Sequence, residues 1–181
     1  IHATDAKDLS SFSKALCIDK SNTLWIGTEG SGLYAYDIKN KSWNIYQSNS
    51  LQKSVNNNII RDIQLDNDNN LWIATDGGGL NKLNTISKEF QYYQYNATQN
   101  NTLNTDALYD LHFDKSGNLW IGTFNGGINI LKAIQPPFFT SRQFDVEKKQ
   151  GLRSVLIIEE DEEKRVWLGT DGGGIFYFDL E

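Results

Sequence analysis

Short apolar stretches alternate with polar turns along the whole chain, and one apolar stretch recurs almost unchanged. Residues 24–28 read Leu-Trp-Ile-Gly-Thr, and three near-copies follow. The steps between the tryptophans of these copies are 47, 48 and 47 residues, at Trp25, Trp72, Trp120 and Trp167. Chance does not produce that spacing, so the chain is predicted to consist of four structural repeats.

Each copy stands between two turns of different composition. A turn rich in Asp and Asn precedes it, as in residues 66–70, and a glycine-rich turn follows it, as in 76–79. Another apolar stretch lies upstream, and a third stretch and then an aromatic one, such as 90–93, lie downstream. Their length and their β-branched and aromatic content are typical of strands. No stretch keeps a 3.6-residue period, so little helix is expected.

Four strands in roughly 40–50 residues, repeated, are typical of β-propeller blades. A twisted four-stranded sheet with two apolar faces needs a neighbour on each face. The central strand is therefore apolar at successive positions instead of alternating. We predict an all-β fold of four-stranded antiparallel blades, in which the tryptophans fill the space between blades. The small residue two positions after each tryptophan, such as Gly27, then leaves room for the adjoining sheet.

The repeat also predicts blade boundaries. Repeats 1 to 3 span residues 9–47, 55–95 and 103–141, and repeat 4 spans 150–181 without an outer strand. Residues 1–5 align with the outer strand of a preceding blade. We therefore expect a section of a larger propeller, or two chains that combine, with closure of four blades as the alternative. An open end would leave a blade face wet, so self-association or contact with further blades is expected.

The glycine-rich turns allow a structural and a chemical interpretation. A tight connection between the second and third strands needs positive φ, which glycine adopts without a Cβ penalty. An anion cradle is the alternative. The dinucleotide glycine spacing is missing, and a strand follows instead of a helix. The structural interpretation is therefore favoured for the last glycine of each turn: Gly32, Gly79, Gly127 and Gly174.

Charge and composition narrow the function classes. The 181 residues carry a formal charge of −6, and no Lys/Arg stripe is present, so nucleic-acid binding is not expected. A single cysteine, Cys17, excludes an internal disulfide framework and a multi-cysteine zinc site. No apolar run reaches the length of a membrane span. We expect no metal or cofactor, and membrane attachment only through segments outside these residues.

The glycine-rich turns and the loops between repeats are expected to share one rim, where propellers hold ligands. The residue types at the rim differ between repeats while the scaffold positions do not. That variation suits a grafted binding surface, and it equally suits neutral drift at exposed loops. The candidate ligand-binding residues are Glu29, Arg61, Asp76, Tyr109, Phe124, Asn125 and Asp171.

The pattern Asp-x-x-Gly/Asn-Asn-Leu-Trp-Ile-Gly-Thr-x-Gly-Gly-Gly-Leu, clearest in residues 66–80 and 114–128, resembles the two-component regulator propeller repeat. The resemblance implies a periplasmic sensor segment of a hybrid two-component histidine kinase. Such a segment is implied to detect polysaccharide breakdown products and to regulate the genes for their use. His2 and His112 lie in no phosphoacceptor context, so this stretch is not expected to be catalytic itself.

Two other functions remain as alternatives. A scaffold would use blade edges and rims for protein contacts without a small ligand. A propeller lyase would need histidines and carboxylates that converge on the central axis. It is less favoured, because the chain has two histidines and His112 shares its repeat position with Cys17, Gln64 and Glu159. That position is interpreted as a polar contact between blades.

Overall fold

A computed structural model describes residues 12–48, 53–99, 101–133, 138–140 and 152–179. Within these ranges the chain forms fifteen β-strands and no helix, so none of the described residues belongs to a helix that could cross a membrane. The strand predicted for residues 1–5 lies outside the described residues. The all-β prediction is confirmed.

The strands form four antiparallel meanders. Sheets 1, 2 and 3 have four strands each, and sheet 4 has three among the described residues. In chain order the strands are β1 (Ser13–Ile18), β2 (Thr23–Thr28), β3 (Leu33–Asp37), β4 (Ser42–Tyr46), β5 (Ile60–Leu65), β6 (Asn70–Thr75), β7 (Gly79–Asn84), β8 (Phe90–Tyr93), β9 (Leu108–Phe113), β10 (Leu119–Thr123), β11 (Gly127–Leu131), β12 (Phe138–Thr140), β13 (Val155–Glu160), β14 (Arg165–Thr170) and β15 (Gly174–Asp179).

Consecutive sheets pack face to face, with their first strands side by side. Strand β5 lies between β1 and β9, and β9 lies between β5 and β13. The three interfaces enclose Trp25, Trp72 and Trp120, each buried. A Cβ added at Gly27 would lie 2.6 Å from Ile60 Cγ2 of the next sheet, so the small residue does make room for its neighbour. These are the blade contacts that the apolar central strand predicts.

One end of each sheet, which we call the base, carries the Asp-rich turn between the first two strands. An aspartate in this turn accepts a hydrogen bond from the indole Nε1–H six residues later, in all four sheets. Asp114 Oδ2 accepts from Trp120 at 2.8 Å, and Asp161 Oδ2 from Trp167 at 2.7 Å. The same carboxylates accept backbone N–H groups of their own turns. The bond ties each turn to the tryptophan that fills the interface.

The opposite end, the rim, carries the glycine-rich turns. Positive φ is found at the predicted position in every sheet, with values of 81° at Gly32, 75° at Gly79, 73° at Gly127 and 87° at Gly174. At Gly79 space is also restricted, because an added Cβ would lie 2.4 Å from the Tyr93 carbonyl oxygen. The structural interpretation of these glycines is therefore sufficient to explain them.

The two outer flanks of this arrangement expose apolar side chains. Leu16 of sheet 1 is 62% exposed, whereas Ile63, at the same repeat position in sheet 2, is 3% exposed because sheet 1 covers it. On the far side, Ile175 and Tyr177 of sheet 4 are exposed as well. The described blades thus present at both ends the kind of surface that they bury between one another.

Candidate functional site

Backbone hydrogen bonds join each glycine-rich turn to the loop that leads into the next sheet. The N–H groups of Gly30 and Gly32 donate to the Asn58 carbonyl oxygen, and those of Gly77 and Gly79 donate to that of Asp106. Turns and interblade loops therefore share one rim, as predicted.

One position on the first strand, at its rim end, carries a different residue in each repeat. This position coincides with a β-bulge in all four sheets. The pairing of the first and second strands shifts register next to this residue in each case. A bulge leaves its extra residue unpaired and re-aims the side chain. The same bulge therefore orients a different side chain in each sheet: Lys14, Arg61, Tyr109 and Leu156.

Arg61 is the centre of a charged and aromatic cluster on the rim. Its Nη1 lies 3.2 Å from Glu29 Oε1 of the preceding sheet, and its Nη2 contacts Asp76 Oδ2 of its own sheet. Glu29 also pairs with Lys14 at 3.3 Å. The guanidinium therefore bridges the turns of two sheets.

The cluster continues into sheet 3 through aromatic rings. The Arg61 guanidinium lies over the Tyr109 ring, 5.1 Å from its centroid. Tyr109 contacts Phe124 with ring centroids 5.9 Å apart, and Phe124 is 44% exposed. Five of the seven candidate residues thus form one continuous surface across three sheets, which we call the rim cluster: Glu29, Arg61, Asp76, Tyr109 and Phe124.

The other two candidates lie elsewhere. The N–H of Asn125 donates to Ser154 Oγ at 3.2 Å, and the N–H of Asp171 donates to the Ser154 carbonyl oxygen at 3.0 Å. Both residues meet the loop that leads into sheet 4, and neither contacts Arg61 among the described residues. A ligand-binding role stays a prediction for all seven.

The rim cluster offers both charge and an aromatic face. Arg61 keeps 20% of its side chain exposed, and in the described part of the chain its buried Nε has no hydrogen-bond partner. Phe124, which contacts the Tyr109 ring under the guanidinium, is itself partly exposed to solvent. A ligand with hydroxyl or carboxyl groups could accept the Nη donors that Arg61 otherwise gives to Glu29 and Asp76.

Two half-buried carboxyls on the first strands of sheets 2 and 3 are absent from the sequence prediction. Asp62 of β5 and Asp110 of β9 occupy the same repeat position, where the outer sheets have Ala15 and Ile157. Asp62 Oδ2 accepts the N–H of Leu111 at 3.0 Å, and Asp110 Oδ2 accepts that of Ile158 at 2.6 Å. Each carboxyl therefore joins its own strand to the first strand of the next sheet.

Burial raises the pKa of both groups. For Asp110 the pKa rises to about 7, because burial and the nearby charge of Asp62 outweigh its backbone hydrogen bonds. The pKa of Asp62 is raised by burial as well. An aspartate ten residues before the tryptophan in two successive repeats is the sequence signal that could have found this pair.

The other reactive side chains on the first strands, Cys17 and His112, show little that suggests a catalytic role. Burial and the charges of Asp19 and Asp62 raise the pKa of Cys17 to about 12, which leaves the thiol protonated. His112 Nε2 is buried with no partner among the described residues. Within those residues no three His, Cys, Asp or Glu side chains are placed to share a metal ion.

Three segments of the chain match the family model described as the two component regulator propeller, at residues 8–30, 54–77 and 102–125. Each match covers the first two strands of a predicted repeat and the turn between them. The chain therefore carries repeats of this family, as the sequence motif indicates. No curated protein matches the chain.

Solved structures share the fold. The chain superposes on the extracellular domain of a protein described as a hybrid two-component system of B. thetaiotaomicron with a TM-score of 0.81 and 24% identity, covering 94% of this chain and 23% of that one. A second such domain from B. thetaiotaomicron gives a TM-score of 0.74 and 24% identity over 94% and 25% of the two chains.

A third structure is an enzyme. It is an inactive variant of virginiamycin B lyase from Staphylococcus aureus, with a TM-score of 0.64, 12% identity and coverage of 97% and 58%. At these identities the likeness shows the β-propeller fold alone. The chain spans about a quarter of the length of the two extracellular domains.

Proposed function

We propose that the chain is a ligand-recognition segment in the periplasmic sensor region of a hybrid two-component system, where it detects polysaccharide breakdown products and so regulates their use. The family repeats and the fold of the extracellular domains support this placement. The observation that carries the recognition role is the rim cluster, in which Arg61 contacts residues of three successive sheets.

The physical reason is that such a cluster couples ligand contact to blade packing. A ligand that takes hydrogen bonds from Arg61 competes with Glu29 and Asp76 for the guanidinium. It thereby changes the ion pair that joins sheet 1 to sheet 2. Binding free energy that differs between two blade arrangements is what a sensor needs to pass on a signal.

Thermal-shift screening with polysaccharide digests tests the proposal, on the complete sensor region that contains this chain. We expect at least one digest to raise the melting temperature, and Phe124→Ala to reduce that shift because it removes the exposed ring. Ile86→Ala is the control, since Ile86 is 80% exposed in the turn between β7 and β8, away from the rim and from both outer flanks. If no digest shifts the melting temperature, the sensing proposal fails.

A scaffold for protein contacts is the second candidate, and the exposed flanks favour it. Leu16, Ile157 and Ile175 are 62%, 54% and 75% exposed on faces that are buried elsewhere in the fold. We propose that another blade covers them, from the same propeller or from a second copy. Light scattering that finds only the 20.5 kDa monomer would contradict the version with a second copy.

A further inference from the structure

A groove opens at the base between sheets 2 and 3. Its volume is about 760 Å³, within the range of small-molecule sites. Its floor is apolar and partly aromatic, with Tyr93 and Leu65 from sheet 2 and Phe113 and Leu131 from sheet 3. Its walls are the two Asp-rich turns, residues 66–68 and 114–117. We call this cavity the base groove.

The groove exists because one repeat position differs. In sheet 1 the residue five positions before the tryptophan is Lys20, whose Nζ donates to the Asn67 carbonyl oxygen and whose N–H donates to Asn69 Oδ1 at 2.9 Å. In sheet 3 it is Lys115, whose Nζ donates to the Asp161 carbonyl oxygen at 2.7 Å. Each lysine ties its own turn to the turn of the next sheet and closes the base of that interface.

In sheet 2 this position is Asn67, whose shorter side chain carries no ammonium group. Its turn makes no hydrogen bond to the turn of sheet 3 among the described residues. The interface between sheets 2 and 3 therefore lacks this lysine hydrogen bond at its base. The three interfaces can be compared because they have the same backbone. A lysine closes the base of two of them, and the base of the third stays open.

Charged groups of both signs line this opening, with Asp66, Asp68 and Asp114 beside Lys82, Lys115 and Lys132. Asp66 is already occupied, because its carboxylate accepts from Asn70 and Trp72 and lies 3.7 Å from Lys82 Nζ. In the described part of the chain the side chains of Asn67, Asp68 and Ser116 have no hydrogen-bond or ionic partner. They offer an amide, a carboxylate and a hydroxyl above an apolar floor.

We propose that the base groove binds a neutral saccharide, at a site separate from the rim. Sugar hydroxyls both donate and accept, which suits an amide, a carboxylate and a hydroxyl together. The apolar face of a sugar ring suits the half-buried rings of Tyr93 and Phe113. The lining carries three lysines and three aspartates, so its formal charge is zero and it offers no net attraction to uronic acids or sulfated sugars. Only the ligand class rests on the proposed function, because the position follows from the geometry.

The test is binding of neutral tetrasaccharides (cello-, malto- and xylo-) by ligand-observed NMR and calorimetry. Asn67→Lys introduces the lysine that sheets 1 and 3 have at this position, and it should weaken binding at least tenfold. Asp68→Ala removes a wall group without filling the groove and should weaken it several-fold. Glu162→Lys is the matched control, because Glu162 is the same repeat position in sheet 4, exposed and away from the groove.

The outcomes separate this inference from the proposed function. Binding that survives Asn67→Lys and Asp68→Ala but is lost in Phe124→Ala places the sugar on the rim and overturns the inference alone. Binding of anionic fragments without neutral ones also overturns it, while the sensing proposal stands. If neither class binds to the complete sensor region, both proposals fail.

Discussion

The two ends of each sheet differ in which of their features recur from repeat to repeat. At the base, the same aspartate accepts the same indole hydrogen bond in all four sheets, from Trp25, Trp72, Trp120 and Trp167. At the rim, one bulged position carries Lys14, Arg61, Tyr109 or Leu156. A buried hydrogen bond between complementary groups tolerates no change, because either partner alone would be left unsatisfied. A bulge constrains only the backbone, so its side chain is free to vary.

The base should therefore carry stability, and replacing its tryptophan should have the largest effect. Trp120→Ala removes a side chain that is 1% exposed and leaves Asp114 without its indole donor. We expect a loss of about 3–5 kcal/mol in the free energy of unfolding, measured by denaturant titration. Trp167→Ala, at the half-buried equivalent in sheet 4, should cost clearly less. Equal losses would mean that the indole bond, and not burial between sheets, sets the cost.

The recurring hydrogen bond between aspartate and tryptophan explains how much of the fold was predictable. The spaced tryptophans and Asp-rich turns predict the sheets, because their hydrogen bonds are local in sequence. The shared rim was also predictable, since antiparallel meanders put alternate turns at the same end. The blade boundaries and the ligand-binding role of the rim candidates stay predictions.

The details of the site were less accessible. Arg61 bridges two sheets from a bulge that the residue pattern does not reveal. Asn125 lies in a glycine-rich turn and contacts Ser154 instead. Asp62 and Asp110, which follow the bulged residue, each accept a backbone N–H from the first strand of the next sheet. Asn67 gains its meaning only once Lys20 is seen to reach across an interface.

The half-buried carboxyls of Asp62 and Asp110 allow a test whose expected effect lies between those of base and rim. Asp110 has a folded-state pKa of about 7, well above the ordinary value of an aspartate, so the folded protein holds this proton more tightly than the unfolded chain. Its contribution to stability is therefore full below about pH 4 and is lost as pH rises toward 7. The other titratable groups on β5, β9 and β13 are Arg61, Asp62, Tyr109, His112, Glu159 and Glu160.

Asp110→Asn should remove this pH dependence, since the amide oxygen can still accept the Ile158 N–H but carries no charge. We expect the variant to be more stable than the parent by about 1–3 kcal/mol at pH 8, and similar to it near pH 4. Denaturant titrations across this pH range measure both. Asp37→Asn is the control with the opposite sign, because hydrogen bonds from Asn40 lower the pKa of this exposed carboxyl. Unchanged pH dependence in Asp110→Asn would show that Asp62 binds the proton instead.

The smallest effect on stability is expected at the rim. Arg61→Met keeps the aliphatic stem over Tyr109 but removes the ion pairs with Glu29 and Asp76, which are partly exposed. Such pairs contribute about 0–1 kcal/mol, and salt screens them, so the loss should shrink as ionic strength rises. Lys14→Met, at the same bulge position with one exposed pair, should change nothing measurable. A loss of 3 kcal/mol in the free energy of unfolding for Arg61→Met would mean that the rim stabilises the fold as the base does. The rim residues would then not be free to vary for binding, because the packing of the blades would depend on them.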